Sequence, residues 1–207
     1  MRRFGPLLPA LLLALTAATA TAQNVALGKA VSYVGSFGVL RPASGWPPGV
    51  LAAAATVTDG TYLPEGSDWH MGTAWWDTGA PAAPPGDPAF NPYIQVDLGG
   101  VYSITGFKLQ ADDNDSYLFS YRLSALDPWT LYGYFGPTGG GGMRTRGPAG
   151  VALVASQIAV SAFGGDGWYA VSEMEAYGTR VVPEPASIAL VATGLLGLGV
   201  ASRRRRR

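Results

Sequence analysis

Apolar blocks lie at the two ends of the chain, and short, interrupted apolar patterns fill the space between them. Leu7 to Leu15 is one apolar run, and Ala186 to Ser202 is a second, seventeen residues without a charge. Between them no long stretch keeps a helical period, and no repeat of 20–50 residues is visible. What recurs is the two-residue period of strands, cut by Gly, Pro, Asn and Asp. Tyr93–Leu98 alternates cleanly, with Ile94, Val96 and Leu98 on one face. Gly99-Gly100 reads as a turn, and Val101–Ala111 as the next strand. Tyr117–Ala125 follows, its alternation broken by adjacent Leu118 and Phe119; Val151–Val160 and Trp168–Tyr177 come later. Gly79–Pro92 and Gly136–Gly150 read as long loops. Many short strands separated by turn residues predict an all-β, jelly-roll β-sandwich.

The ends read as sorting segments. Arg2 and Arg3 precede the first apolar run, and Ala20-Thr21-Ala22 closes it before Gln23. A basic start, a short apolar run and small residues at the exit predict a signal peptide over 1–22, on the general secretory route. At the other end, Ala186–Ser202 would reach roughly 25 Å as a helix at 1.5 Å per residue, the short end of a bilayer span. Arg203–Arg207 would hold its end in the cytoplasm by the positive-inside rule. Both segments then place the body outside the membrane. The expected division is a signal peptide at 1–22, a folded domain at 23–178, a linker at 179–185 and a transmembrane sorting helix with its basic end at 186–207.

Pro183-Glu184-Pro185 sits directly before this run. The tripeptide, the apolar span and the terminal arginines together resemble the PEP-CTERM sorting signal of Gram-negative bacteria. That resemblance implies the secretion machinery and an exosortase as partners, with membrane attachment that ends when the tail is removed. It also implies a cell-surface or extracellular destination, in organisms that often make exopolysaccharide.

The formal net charge of zero hides an uneven distribution. Over 23–182 the chain has seven basic and thirteen acidic side chains. A net-acidic body argues against a nucleic-acid binder, which normally needs a basic face. There is no cysteine, which removes disulfides, thiol catalysis and thiolate metal sites.

The order of motifs in the body adds a second resemblance. Asn24–Ala30 opens it, Thr58-Asp59-Gly60 follows, then tryptophans, Tyr93–Gly99, Ile104–Leu109 and finally Ser172–Gly178. This order is similar to the discoidin, or coagulation-factor type C, domain of the galactose-binding-like jelly rolls. The tryptophan region after Asp59 is longer than usual, and Gly136–Gly150 replaces a more compact connection. The resemblance implies a structural Ca²⁺. Asp59 would give a carboxylate, Thr56 and Thr61 carbonyl oxygens, and Glu173 with the Ser172 carbonyl would close the site. One more ligand is expected from Pro64–Asp68. The alternative is that Asp59 only caps a turn and Glu173 is an ordinary strand carboxylate.

Sugars stack on exposed aromatic rings and are read by polar groups at the rim. Of the six tryptophans (Trp46, Trp69, Trp75, Trp76, Trp129 and Trp168), Trp69, Trp75 and Trp76, with His70 and Asp113, are the candidate carbohydrate-binding residues. Adjacent residues on a strand point to opposite faces, so one of Trp75 and Trp76 is expected to be exposed or on a loop. The competing reading places tryptophans in the core. Asp112-Asp113-Asn114-Asp115 fails as an EF-hand loop, because Tyr117 stands where that loop needs glycine; it reads as a polar turn, with a sugar or second cation site as the alternative.

Catalysis has little to draw on. His70 is the only histidine, no nucleophile elbow is present, and the glycine run Gly139–Gly142 lacks the Lys-Ser/Thr of a phosphate loop. The sequence therefore predicts a non-catalytic binding module for exopolysaccharide or surface glycan. The alternatives are a structural or adhesion protein working through protein contacts and, behind it, a small glycan-active hydrolase.

Overall fold

The computed structural model describes residues 21–42, 44–78 and 92–181. The apolar leader up to residue 20, most of the Gly79–Pro92 loop, Pro183-Glu184-Pro185 and the 186–207 segment lie outside the described residues.

Among the described residues nine strands occur: β1 (Gln23–Asn24), β2 (Ala30–Val34), β3 (Val50–Leu51), β4 (Met71–Asp77), β5 (Tyr93–Asp112), β6 (Ser116–Arg122), β7 (Thr130–Phe135), β8 (Met143–Phe163) and β9 (Trp168–Arg180). A short 3-10 turn at Ala54–Thr58 is the one helical element among the described residues. Two strands are long enough to serve both layers of a sandwich. The first part of β5 pairs with β2 and with the end of β8, which continues through β6 to β7. The second part of β5 pairs with β9 and the start of β8, and β9 continues through β4 to β3. Every pair is antiparallel except the short β3–β4 contact. This is the expected jelly-roll sandwich.

The crossing point corrects one expectation. Gly99-Gly100 does not reverse the chain; β5 runs through it, and the register slips between Asp97 and Tyr102. Gly99 has φ +69°, which only glycine adopts without strain, and its N–H donates to Asp97 Oδ1 at 2.9 Å. The result is a bulge that bends β5 from one layer into the other. The glycine-rich loop is likewise shorter than expected, because β8 already begins at Met143. Strand β6 stops at Arg122, before Ala125, and β9 continues to Arg180. Strands β1 to β4 and β7 have no counterpart among the strands expected from the sequence.

The main core lies between the layers. Ile94, Val96 and Leu98 of β5 are fully buried on one face, as their alternation predicts, against Ile158 and Val160 of β8. Phe107 and Phe119 stack at 4.5 Å between ring centroids. Trp76 packs against Phe37, Tyr117 and Tyr169. A second, smaller core of Trp69, Trp75, Met143 and Ala170 lies apart from it, flanked by Leu40, Leu63 and Trp168.

Candidate functional site

Two regions hold the sequence candidates. The first is the Thr58-Asp59-Gly60 turn. The 3-10 turn delivers Asp59, and Gly60 takes φ +83° to turn the chain back. Asp59 Oδ1 accepts the Thr61 N–H at 2.7 Å, and Glu173 Oε1 accepts the Gly60 N–H at 3.2 Å. Thr56, Asp59, Thr61 and Glu173 are thus brought together. Ser172, adjacent to Glu173 on β9, turns its hydroxyl to Gln110 Oε1 at 2.6 Å, leaving only its carbonyl for the role expected of it.

Glu173 is fully buried, and its Oε2 has no hydrogen-bond partner. Burial pushes its carboxyl up to about 8; the Gly60 N–H opposes this, and the charges of Asp59 and Glu175 add to it. A buried carboxylate oxygen facing another carboxylate is costly unless something positive or a proton joins it. Among the described residues no three His, Cys, Asp or Glu side chains converge. An ion here would therefore draw on two carboxylates and backbone carbonyls, an all-oxygen set that suits a hard cation. Sequence reasoning missed Gln110, which holds the following loop: its Nε2 donates to the Leu63 carbonyl and its Oε1 accepts the Leu63 N–H, both at 2.8 Å. Glu65 of the same loop accepts from the N–H and hydroxyl of Thr145, the hydroxyl bond holding its pKa below the usual carboxylate value.

The second region lies at the start of β9. The described residues of segment 38–49 (38–42 and 44–49) fold over the outer side of β4, held by the Gly38 N–H on the Trp75 carbonyl at 3.0 Å and the Val50 N–H on the His70 carbonyl at 2.9 Å. It closes a cleft of about 410 Å³ lined by Val39, Leu40, Arg41, Ser44, Trp46 and Trp75, among others. Trp46 is 42% exposed. Its ring meets Trp69 at 5.7 Å, His70 at 5.5 Å and Trp168 at 6.1 Å, each edge to face. Arg41 lies over the Trp168 ring at 4.2 Å and pairs with Asp77 at 3.5 Å. Asp77 also accepts the Trp168 indole N–H at 3.2 Å and the Arg41 backbone N–H at 2.8 Å. A wall of aromatic rings with a guanidinium fixed at its edge results.

Both Trp75 and Trp76 are buried, against the expectation that one would be exposed. They do point to opposite faces of β4. Trp76 enters the main core, and Trp75 enters the second core under segment 38–49, so a further layer covers the outer side of the strand. Trp69 and His70 are buried beside Trp75. The His70 Nδ1–H donates to Asp68 Oδ1 at 2.5 Å, and the far ring nitrogen has no partner. The exposed ring of this cluster is Trp46. Arg41 lines the cleft, and Asp77 and Trp168 hold it there; none of the three sits in a sequence pattern that marks it for this role.

Asp113 lies elsewhere and holds the glycine loop. Its side chain accepts the Gly141 N–H at 2.9 Å, and its carbonyl accepts the N–H groups of Thr138 and Gly139. Beneath it Asp112 and Asp115 are buried with Arg146, whose guanidinium lies over Tyr117 at 4.8 Å. Burial, and then neighbouring carboxylates, push Asp112 up to about 7 and Asp115 up to about 9.

Comparison with known proteins fits the two halves of this picture separately. A family model, the PEP-CTERM protein-sorting motif, matches residues 181–206. The chain carries this sorting motif. PEP-CTERM implies an exported protein processed at its C-terminus. Among curated proteins no sequence matches the chain. Among solved structures, a fucolectin from the serum of Morone saxatilis (striped bass) is similar with a TM-score of 0.52 at 18% identity, over 78% of this chain and 50% of that one. Chitosan-binding module 1 of a chitosanase/glucanase from Paenibacillus sp. IK-5 is 21% identical with a TM-score of 0.47, over 75% and 99% of the two chains. The family 32 CBM of NanJ from Clostridium perfringens, solved with galactose, is 13% identical with a TM-score of 0.47, over 76% and 98%. The body upstream of the PEP-CTERM motif thus shares its jelly-roll fold with the fucolectin. No membrane-crossing helix occurs among the described residues.

Proposed function

We propose that this chain is an exported, non-catalytic glycan-binding protein, anchored in the membrane by its 186–207 segment until an exosortase acts on Pro183-Glu184-Pro185. The observation that carries the reading is the cleft under Trp46. An exposed indole offers an apolar surface to the C–H face of a sugar, and Arg41 and Ser44 stand beside it to meet hydroxyls. The fold shared with carbohydrate-binding structures supports it. A panel of immobilised neutral and amino polysaccharides tests the reading. Trp46→Ala is expected to lower affinity at least ten-fold while leaving the far-UV circular dichroism of the fold unchanged, since Trp46 is partly exposed at the cleft. Binding by no member of the panel, or undiminished binding by Trp46→Ala, refutes it.

Asp59 and Glu173, with the carbonyls of Thr56, Thr61 and Ser172, are proposed to hold a structural Ca²⁺. The ion would neutralise the buried carboxylate. Occupancy at one hundred times Kd stabilises by about 2.7 kcal/mol, so excess chelator should lower the melting temperature by several degrees. An unchanged midpoint removes the ion.

One observation favours a second reading, adhesion through protein contacts. Edge strand β7 has no charged residue, and Leu131, Tyr132 and Tyr134 are exposed on it. Concentration-dependent self-association without any sugar binding is the result that would favour it.

A further inference from the structure

Both ends of the domain leave from one pole. Gln23 of β1 pairs with Gly178 of β9, so the leader expected over 1–22 and the segment bearing the sorting motif meet the fold within a few residues of each other. The last described backbone bond runs from the Val181 N–H to the Val101 carbonyl at 2.8 Å. The uncharged run begins at Ala186. Five Cα steps separate the two, at most about 18 Å of extended chain. The cleft is at the opposite end of β9, beside Trp168. Strand β9 has thirteen residues, which at roughly 3.3 Å each places the cleft about 40 Å from the pole.

The chemistry of the pole differs from that of the rest of the body. Lys29 and Arg180 flank the Gly99-Gly100 bend: a Cβ placed on Gly99 would lie 3.8 Å from Lys29 Nζ, and one on Gly100 would lie 3.4 Å from Arg180 Nε. Lys29 Nζ also sits 5.7 Å from the centre of the Tyr102 ring. Other cations of the body are committed elsewhere. Arg41, Lys108 and Arg144 pair with Asp77, Glu175 and Glu65. Arg146 is buried, and Arg122 bonds Gln157 and Gln95. Neither Lys29 nor Arg180 makes an ion pair among the described residues. Asp97, the carboxylate on the same bend, is occupied by the Gly99 N–H and the Gln157 amide. Val181, 42% exposed, adds apolar surface.

We infer that this pole is a docking surface for the anionic phospholipid headgroups of the membrane, with Lys29 and Arg180 as its contacts. It holds the acidic body upright, with the Trp46 cleft turned away from the bilayer. The inference rests on the proposed reading of 186–207 as a membrane segment. A tether this short keeps the local headgroup concentration high, so two cations suffice where a free protein would need more. Each is worth about five-fold in docked over undocked population.

The absence of cysteine allows a direct test. The full chain carries a single fluorophore on Ala30→Cys at the pole or on Ser44→Cys at the cleft, and is reconstituted into vesicles with a headgroup-linked quencher. In phosphatidylglycerol vesicles, quenching at position 30 should exceed that at 44 several-fold. The contrast should collapse in phosphatidylcholine, in 0.5 M salt, and in the Lys29→Glu/Arg180→Glu double variant. Lys29→Gln/Arg180→Gln, which adds no new charge, should bring the contrast down to its phosphatidylcholine level; near-UV circular dichroism checks that both variants fold. Equal quenching at the two positions, or a contrast indifferent to lipid charge, overturns the docking. Flotation separates the two claims: a chain that floats with the vesicles but shows no contrast overturns docking alone, and one that fails to float overturns the membrane segment and docking together.

Discussion

Gly49 offers a sharp test of how the cleft is built. It precedes β3, where segment 38–49 lies directly on the rings of the second core. A Cβ built on Gly49 would come to 2.6 Å from the His70 carbonyl oxygen, 2.8 Å from His70 Cδ2 and 2.9 Å from Trp75 Cζ2. All three distances are below any real Cβ contact, and none of the three groups can yield. The carbonyl belongs to the backbone that accepts the Val50 N–H. The His70 ring is tied to Asp68, and Trp75 is packed against Trp69 at 5.8 Å. Gly49→Ala must therefore lift segment 46–50 off the rings. Overpacking of this kind costs about 1–3 kcal/mol. Loss of the glycine's unfolded-state entropy returns about 0.4–1 kcal/mol. The net is about 1–2 kcal/mol, and a domain of this size shifts by roughly 2–4 °C per kcal/mol.

The assay is calorimetry or circular-dichroism melting beside glycan binding, with Gly133→Ala as the control. Gly133 lies on edge strand β7 with nothing within 4 Å of its would-be Cβ. That substitution should be neutral or stabilising by a few tenths of a kcal/mol, because only the entropic term remains. Gly49→Ala should lower the midpoint by about 2–8 °C and weaken binding at the cleft, while Gly133→Ala does neither. Equal midpoints for the two variants would refute the packing of segment 38–49 on β4, and with it the construction of the cleft.

Trp76→Ala should cost about 3–5 kcal/mol by the usual range for a buried ring, seen as a large fall in denaturant midpoint; a loss under 1 kcal/mol would mean that the ring is not in the main core. Asp115 sets the pH dependence. Its carboxyl lies near 9 in the fold and near 3.9 when unfolded, so between these values the folded state binds more protons. Stability must then fall as pH rises from about 4 to about 9, by up to about 4 kcal/mol at pH 7 for this group alone, and Asp112 adds to the slope up to about 7. Asp115→Asn should flatten melting temperature against pH over that range; a wild-type midpoint that rises from pH 5 to 8 would contradict the burial of this pair.

What the sequence makes legible here follows from which positions report on one contact only. Ile94, Val96 and Leu98 alternate because one face of β5 meets the core and the other does not, so the period alone places them. The long strands hide for a related reason. Gly99-Gly100 has the composition of a turn, but a turn and a strand-bending bulge both need the same positive φ. Only the partners on β8 and β9, distant in sequence, decide between them. Strand β7 is missed because Leu131, Tyr132 and Tyr134 are exposed and Gly133 interrupts them, which leaves no apolar face to detect.

The tryptophan pair shows where local reasoning must stop. From Trp75-Trp76 the step to opposite faces is sound, and the structure agrees with it. The further step, that one face must be wet, assumes a single buried layer. Segment 38–49 breaks that assumption by crossing the outer side of β4, and it can do so because Gly49 leaves room for its backbone against His70 and Trp75. The same cover moves the exposed indole from β4 to Trp46, some thirty residues earlier in the chain. A candidate site assembled from the residues nearest the Asp59 turn therefore contains Trp75, which lines the cleft, and Trp69 and His70, which pack against it, but not the rim. The rim is supplied by Arg41 and Trp46, and neither has a sequence neighbour that marks it. The Asp77 carboxylate, which joins Arg41 to Trp168 across the end of the sheet, and the Trp46–Trp168 ring contact bring these groups to one place.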